Sequence, residues 1–208
     1  TAVRGMARAL QDDGVRKGDM VAIYAPNSCE YAVALHGALL AGAIVTTLNP
    51  LYREREVEHQ LADSGAKAVF ALGALMPVVE EARKQLPKIE HVYALEDAWR
   101  MAEGNRDPDP VTIDPMTDLA VLPYSSGTTG LPKGVMLTHQ NLTANIRQTI
   151  ATNLSGESAV VLDFLPFYHI YGMVVLLNLG LALGSTQIIM PRFDPEAALS
   201  IIQQHKVT

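Results

Sequence analysis

Apolar and polar positions follow two periods along most of the chain. Short apolar runs, typical of buried strands, are separated by longer stretches whose apolar residues recur every three or four positions, as in helices. The predicted strands cover 20–25, 43–48, 66–72, 89–95, 119–124, 134–138, 159–165 and 185–190. The predicted helices cover 2–11, 29–41, 54–63, 75–86, 140–152, 171–183 and 194–205.

This alternation favours an α/β fold, in which parallel strands form a sheet that helices cover. Residues 104–118 interrupt the pattern, with three prolines and five acidic or amide residues after Gly104. Such a composition predicts a surface crossing between subdomains or a long loop. We therefore expect residues 1–110 to form a first α/β subdomain and residues 111–208 to form a second.

Composition narrows the classes of function. The 208 residues carry a net charge of −6 with the signs well mixed, so no basic stripe indicates nucleic-acid binding. The longest apolar run, 172–184, is shorter than the roughly 20 residues that span a bilayer, and Asn178 interrupts it, so a buried helix is predicted. Cys29 is the only cysteine, which suits a reducing compartment such as the cytoplasm. We expect Cys29 to be an ordinary packed residue.

The stretch YSSGTTGLPKGVMLTH, Tyr124 to His139, breaks the apolar pattern with small polar residues. Within it, the two glycines of SSGTTG permit close backbone approaches. The four hydroxyls of SSGTTG and the ammonium of Lys133 supply the donors that a polyphosphate needs. The alternative, a polar hairpin turn, does not account for this density of hydroxyls. The loop is not a Walker loop, because Gly134 rather than Ser or Thr follows Lys133, and a strand rather than a helix is predicted next.

The loop resembles a specific family signature. LPYSSGTTGLPK, the twelve positions 122–133, matches the phosphate-binding motif of the AMP-forming acyl- and aryl-CoA ligases, and Gly134 follows it. The superfamily of these ligases also holds luciferases and peptide-synthetase adenylation domains. Residues 14–70, LPFYHIYGM (165–173) and IIMPRFDPE (188–196) resemble further parts of these ligases. The chain is most similar in character to 4-coumarate–CoA ligase and to fatty acyl-CoA ligases.

The resemblance implies a fold and an activity. It implies layered parallel-sheet α/β subdomains of the large N-terminal domain of an adenylate-forming enzyme, with the phosphate-binding loop in the second subdomain. Such enzymes use ATP and Mg²⁺ to convert a carboxylic acid into acyl-AMP, from which coenzyme A displaces AMP to leave a thioester. The implied partners are therefore a small carboxylic acid, ATP and coenzyme A.

The resemblance also implies roles for particular residues. Lys133 would neutralise charge on the departing pyrophosphate, after other loop residues have wrapped the β- and γ-phosphates. The wrapping residues would be Ser125, Ser126, Gly127, Thr128, Thr129 and Gly130. His169 and Tyr171 match positions beside the acyl pocket and the adenylate, although His169 could instead be a structural histidine at a helix start.

Two further positions match sites of the family with a change of residue. Val175 is apolar where some coumarate-type ligases carry a small polar residue, which favours an aliphatic acid. Arg192 stands where related ligases often have a lysine near the coenzyme A path, and it keeps the charge, although a solvated arginine in a turn is an equal alternative. The remaining histidines show no metal-ligand spacing, so no metal ligand is predicted.

Motifs that the family needs later in the sequence have no counterpart in these 208 residues. They include an acidic residue for Mg²⁺, an aspartate for the ribose, an arginine near the phosphates and a mobile C-terminal lid with a catalytic lysine. We therefore expect the 208 residues alone to lack the lid and to form little or no acyl-adenylate. Two alternatives stay open: an adenylation domain that loads a carrier protein, and a non-catalytic remnant of the fold. Oligomeric state is also open.

Overall fold

Strands and helices alternate through residues 1–104, 107–125, 132–152 and 158–208, which are the residues that the structure, a computed structural model, describes. The helices are α1 (Ala2–Asp12), α2 (Cys29–Leu40), α3 (Glu54–Ser64), α4 (Met76–Arg83), α5 (Ala98–Met101), α6 (His139–Ala151), α7 (Leu179–Leu183) and α8 (Pro195–His205). The strands are β1 (Met20–Tyr24), β2 (Ile44–Leu48), β3 (Ala68–Ala71), β4 (His91–Ala94), β5 (Leu119–Val121), β6 (Tyr124–Ser125), β7 (Lys133–Gly134), β8 (Leu137–Thr138), β9 (Val160–Asp163) and β10 (Thr186–Ile189).

Six strands of the described residues form one sheet in the order β4-β3-β1-β2-β5-β8. Neighbouring strands are parallel except β8, which runs antiparallel to β5. All five residues of the central strand β1 are buried, because helices cover both faces of the sheet. Val21 and Ile23 of β1 belong to the core that includes α1 and α2, whereas Ala22 and Tyr24 belong to the core that includes α3 and α4.

A second, two-stranded parallel sheet joins β9 to β10. Helix α8 covers one of its faces, where Leu162, Met190 and Ala198 cluster. Helix α2 links this layer to the first sheet, since the Tyr31 ring meets the Phe167 ring edge-on at 5.9 Å between centroids. The predicted α/β fold of layered, mainly parallel sheets is therefore confirmed. Strands from both sides of residue 110 share the first sheet, and the division into subdomains at that point stays a prediction.

Two predicted strands are each split by a change of sheet. The predicted strand 119–124 ends as β5 at Val121, and β6 begins beyond Pro123. The predicted strand 134–138 becomes β7 and β8, because β7 pairs with β6 whereas β8 pairs with β5 in the main sheet. The pattern of apolar residues did not reveal these breaks, since a strand can change partners without changing its own period.

The helix predicted over 171–183 is present but not regular. Its first part, Gly172–Asn178, is a π-helix, and α-helical spacing resumes in α7. The expectation for Cys29 was wrong: it is exposed at the first position of α2 rather than packed. Its neighbours Tyr31 and Val33 carry the buried face of that helix instead.

Candidate active site

The hairpin of β6 and β7 holds the two ends of the predicted phosphate-binding loop. Ser125 lies opposite Lys133 in the antiparallel register, and both residues are exposed. Tyr124 Oη donates a 2.5 Å hydrogen bond to Asp63 Oδ2, which ties the hairpin to α3. Burial, and then the Asp63 carboxylate, raise the pKa of Tyr124, so this phenol stays a donor at neutral pH.

The central part of that loop lies outside the described residues. The predicted phosphate ligands concerned are Ser126, Gly127, Thr128, Thr129 and Gly130. The structure therefore places a hydroxyl and an ammonium side by side where the loop begins and ends, at Ser125 and Lys133. Phosphate binding by the loop stays a prediction.

The segment that precedes His169 is held by side chains of the main sheet. Asn27, which is buried and follows β1, donates from Nδ2 to Leu165 O at 2.9 Å and accepts at Oδ1 from the Phe167 N–H at 2.7 Å. Thr47 Oγ1 of β2 donates to Tyr168 O at 2.7 Å. Most buried polar groups in proteins are paired, and these bonds fix the path of the chain that presents His169.

His169 itself is exposed, and its ring is oriented locally. The Tyr171 N–H donates to His169 Nδ1 at 3.2 Å, so the neutral imidazole carries its proton on Nε2. Gly172 permits this tight start to the helix, because a Cβ there would lie 2.1 Å from Pro166 O. The arrangement makes His169 a hydrogen-bond donor at Nε2, which suits a residue that positions a ligand.

A cavity of about 490 Å³ lies between α6 and the π-helical segment. It brings together His169, Tyr171 and Val175, the three residues that the sequence assigns to the acid. Its other lining residues are Leu137, Asn141, Leu142, Asn145, Thr149, Ile170 and Val174. We call this space the acid cavity. Its π-helical wall is mainly apolar, and α6 adds amide and hydroxyl groups on the opposite side.

A second cavity, of about 720 Å³, lies where strands of both sheets end, and Arg192 lines it. Phe164 and Phe193 form part of its wall, with ring centroids 5.4 Å apart, and both rings are partly exposed. We call this space the arginine cavity. Tyr168 lines the arginine cavity whereas His169, the next residue, lines the acid cavity. One short segment thus separates the acid cavity from a cavity that carries a cation.

Sequence reasoning missed several residues that shape this region. Asn27 lies between a predicted strand and a predicted helix and was not assigned a role, although polar residues just after buried parallel strands often lie at a binding edge. Asp163 and Gln187 lie in predicted strands and were assigned no role of their own. In the structure, Gln187 Nε2 donates to Asp163 Oδ2 at 2.9 Å inside the protein. Asp163 is fully buried, and this burial raises the pKa of its carboxyl to about 7. No signal in the local sequence identifies that pair.

Mg²⁺ has no preformed protein cage in the part of the chain that the structure describes, since no three His, Cys, Asp or Glu residues there could hold a metal ion. Within the same ranges, no helix combines the length and the apolar character needed to cross a lipid bilayer.

The layered, mainly parallel sheets have the architecture of the N-terminal domains of adenylate-forming ligases. Residues 1–208 match the family described as AMP-binding enzyme, and the chain belongs to that family. It is 34% identical to a long-chain-fatty-acid–CoA ligase of Bacillus subtilis over 98% of its length, and 36% identical to 4-coumarate–CoA ligase 1 of Petroselinum crispum over 99%. These matches confirm the family that the motifs indicated.

The fold is also shared with solved structures. A long-chain-fatty-acid-CoA ligase (FadD1) from Archaeoglobus fulgidus superimposes with a TM-score of 0.91 at 29% identity, over 100% of this chain and 42% of that one. The chain likewise spans 42% of the Bacillus subtilis relative and 39% of the Petroselinum crispum relative. The activity, substrates and partners of the whole protein are therefore matters for proposal.

Proposed function

We propose that this chain forms the ATP- and acid-binding part of an AMP-forming acid–CoA ligase. The observation that carries the proposal is that the consecutive residues Tyr168 and His169 line different cavities. Tyr168 lines the arginine cavity and His169 lines the acid cavity. A ligase that first activates an acid and then transfers it to a thiol needs two approaches to one carbonyl carbon. Two cavities that share a short wall provide this arrangement.

The first half-reaction breaks the bond between the α-phosphorus and the bridging oxygen of pyrophosphate. A carboxylate oxygen of the acid attacks the α-phosphorus of ATP, and pyrophosphate leaves with its electron pair. Ser125 and Lys133, adjacent across the hairpin, would stabilise the phosphate oxygens on which charge accumulates. The remaining loop residues would add backbone and hydroxyl donors. Mg²⁺ would supply further charge neutralisation on the same phosphates.

The acid would occupy the acid cavity. His169 Nε2–H is available to donate to a carboxylate or adenylate oxygen, because Nδ1 already accepts from the chain. Tyr171 and Val175 line the same space, and Val175 offers no polar group to the substrate. An acid with an apolar body, aliphatic rather than hydroxycinnamic, fits these walls best.

The second half-reaction would use the arginine cavity. The thiol sulfur attacks the acyl carbon, AMP leaves, and the thiol proton passes to solvent or to the departing phosphate. Arg192 can bind a phosphate of coenzyme A with two parallel hydrogen bonds, while Phe164 and Phe193 offer apolar area to the rest of the molecule. We place the protein in the cytoplasm, in keeping with its single cysteine.

The first test is ATP–pyrophosphate exchange by the full-length protein with short, long and aromatic carboxylic acids. We expect exchange with one class of apolar aliphatic acid and thioester formation when coenzyme A is added. Exchange without transfer to coenzyme A, but with transfer to a carrier protein, would move the assignment to a carrier-loading domain. A folded protein that exchanges with no acid would contradict the proposal and favour a non-catalytic remnant of the fold.

Replacing Arg192 by alanine tests the coenzyme A assignment separately. Because the lost contact is a charge-assisted hydrogen bond, we expect the KM for coenzyme A to rise about tenfold or more. Exchange, which needs no thiol, should change far less. Arg147→Ala, which removes an exposed arginine from α6, is the matched control. An unchanged KM for coenzyme A in the Arg192 variant would contradict the assignment and would indicate that Arg192 is a solvated residue in a turn.

A further inference from the structure

The wall of the acid cavity is built on an uncommon helix. Val174 and Val175 line the cavity and lie within the π-helical segment Gly172–Asn178. In a π-helix each N–H bonds five residues back instead of four, which is rare over seven residues and frequent at functional sites. Where the spacing returns to four, main-chain carbonyls lose a regular intrahelical donor. A π-helical segment is stabilised when other groups donate hydrogen bonds to those carbonyls.

Gln187 provides a further donor from the neighbouring sheet, in addition to the Leu179 N–H that bonds to Leu176 O. Its Nε2 lies 2.9 Å from Leu176 O and 3.3 Å from Leu177 O, the carbonyls close to the end of the π-helical segment. The same nitrogen donates to Asp163 Oδ2 at 2.9 Å. All three partners are acceptors, so only the amide nitrogen, and not the amide oxygen, can face them. The contacts therefore define one orientation of the Gln187 side chain.

The strand register and a glycine of the helix leave space for the Gln187 side chain. β9 and β10 are parallel, and Gln187 pairs with Val161, two residues before Asp163 on the same strand. Residues two apart on a strand share a face of the sheet, so Asp163 and Gln187 both face the helix. Gly180 completes the site, because a Cβ at that position would lie 2.5 Å from Gln187 Nε2. The helix approaches the amide closely only where it has no side chain.

Asp163 has no other evident task. It is fully buried, its Oδ1 has no hydrogen-bond partner, and its Oδ2 accepts from Gln187. A buried carboxyl with one unpaired oxygen costs free energy, and each such group calls for an explanation. Orientation of the Gln187 amide supplies that explanation.

We propose that Gln187, oriented by Asp163, is a specificity-determining residue for the acid because it holds the π-helical register that forms the acid cavity wall. This inference rests on the proposed function of that cavity. Without the Gln187 donor, the segment can exchange five-residue for four-residue spacing. Such a change turns side chains within the segment, relative to the residues before it, by up to about 100°, the angle between successive residues of an α-helix. Val174 and Val175 would then present a different surface to the acid.

The test compares acid preferences in the full-length protein. Gln187→Met keeps the length of the side chain and removes the donor, while Gly180→Ala crowds the amide and leaves Gln187 in place. Gln203→Met, at an exposed position of α8, is the matched control. For each variant, the ratio of kcat/KM for straight-chain to branched or aromatic acids is measured by pyrophosphate exchange. The ratio does not depend on the fraction of active protein, so a loss of stability alone cannot change it.

We expect the ratio to shift about tenfold in Gln187→Met and in Gly180→Ala, the scale on which hydrophobic pockets discriminate, and not in the control. If each variant changed kcat/KM by the same factor for every acid, the inference would be overturned and the proposed function would remain intact. If the wild-type protein exchanges with no acid, the proposed function fails instead. A crystal structure of the Gln187 variant then decides the inference by itself: four-residue spacing across Gly172–Asn178 supports it, and an unchanged π-helix overturns it.

Discussion

Replacing Lys133 by alanine is expected to lower ATP–pyrophosphate exchange by the full-length protein about 100- to 1,000-fold, the usual cost of losing one group that stabilises transition-state charge. Lys133 is exposed at the end of the phosphate-binding loop and lies opposite Ser125. Negative charge grows on the departing pyrophosphate as the reaction proceeds, so the ammonium contributes more in the transition state than in the ground state. The loss should therefore appear mainly in kcat, with a smaller rise in the KM for ATP.

Lys88→Ala is the matched control for this experiment. Lys88 is also exposed, and it lies between α4 and β4, so its removal changes the net charge equally without touching the hairpin. The control should exchange pyrophosphate at the wild-type rate. A Lys133 variant that retained exchange within about threefold of the wild type would exclude a role in phosphate transfer and would make the loop lysine a solvated residue.

Replacing Asp163 by asparagine should stabilise the protein more at about pH 8.5 than at about pH 5. The gain in the free energy of unfolding is expected to be larger by about 2 to 3 kcal/mol at the alkaline pH. Burial raises the pKa of the Asp163 carboxyl from its ordinary value to about 7. Between pH values near 4 and 7, the folded protein then binds more protons than the unfolded chain. Stability contributed by the protonated carboxyl is therefore lost as pH rises through this window.

Asparagine resembles the protonated carboxyl and does not ionise. It can still accept from Gln187 through Oδ1. Urea titrations of wild type and variant at about pH 5 and about pH 8.5 provide the comparison, with the acidic condition serving as the internal reference. Parallel pH dependences in the two proteins would show that the Asp163 carboxyl ionises as easily in the folded protein as in the unfolded chain, which would contradict its burial.

Local sequence was sufficient for most of the architecture. The apolar runs at 20–25 and 43–48 became β1 and β2, and the apolar periodicity at 29–41 became α2, because buried strands and amphipathic helices carry their period in their own residues. The motif around Lys133 and the LPFYHIYGM stretch identified the family, which the comparisons confirmed. The roles of the individual residues in these motifs remain predictions.

Local sequence was not sufficient where a residue acts through a distant part of the chain. Asn27 contacts Leu165 and Phe167 almost 140 positions away, and Thr47 contacts Tyr168 across a similar distance. Neither the residues around Asn27 nor those around Thr47 show in the sequence that these two side chains hold the segment before His169. The split strands between Leu119 and Thr138 have the same cause, since their partners belong to different sheets.

The amino-acid sequence alone determined the α/β class, the alternation of elements and the family. Periodicity and motifs belong to consecutive residues, so they can be recognised without knowing how the elements pack. The tertiary structure alone decided the π-helical register of Gly172–Asn178, the pairing of Asp163 with Gln187 and the position of His169 and Tyr168 on opposite cavities. Each of these depends on which groups meet across layers of the fold. A helix pattern in sequence is compatible with four- or five-residue spacing, and only the donor contributed by β10 selects between them.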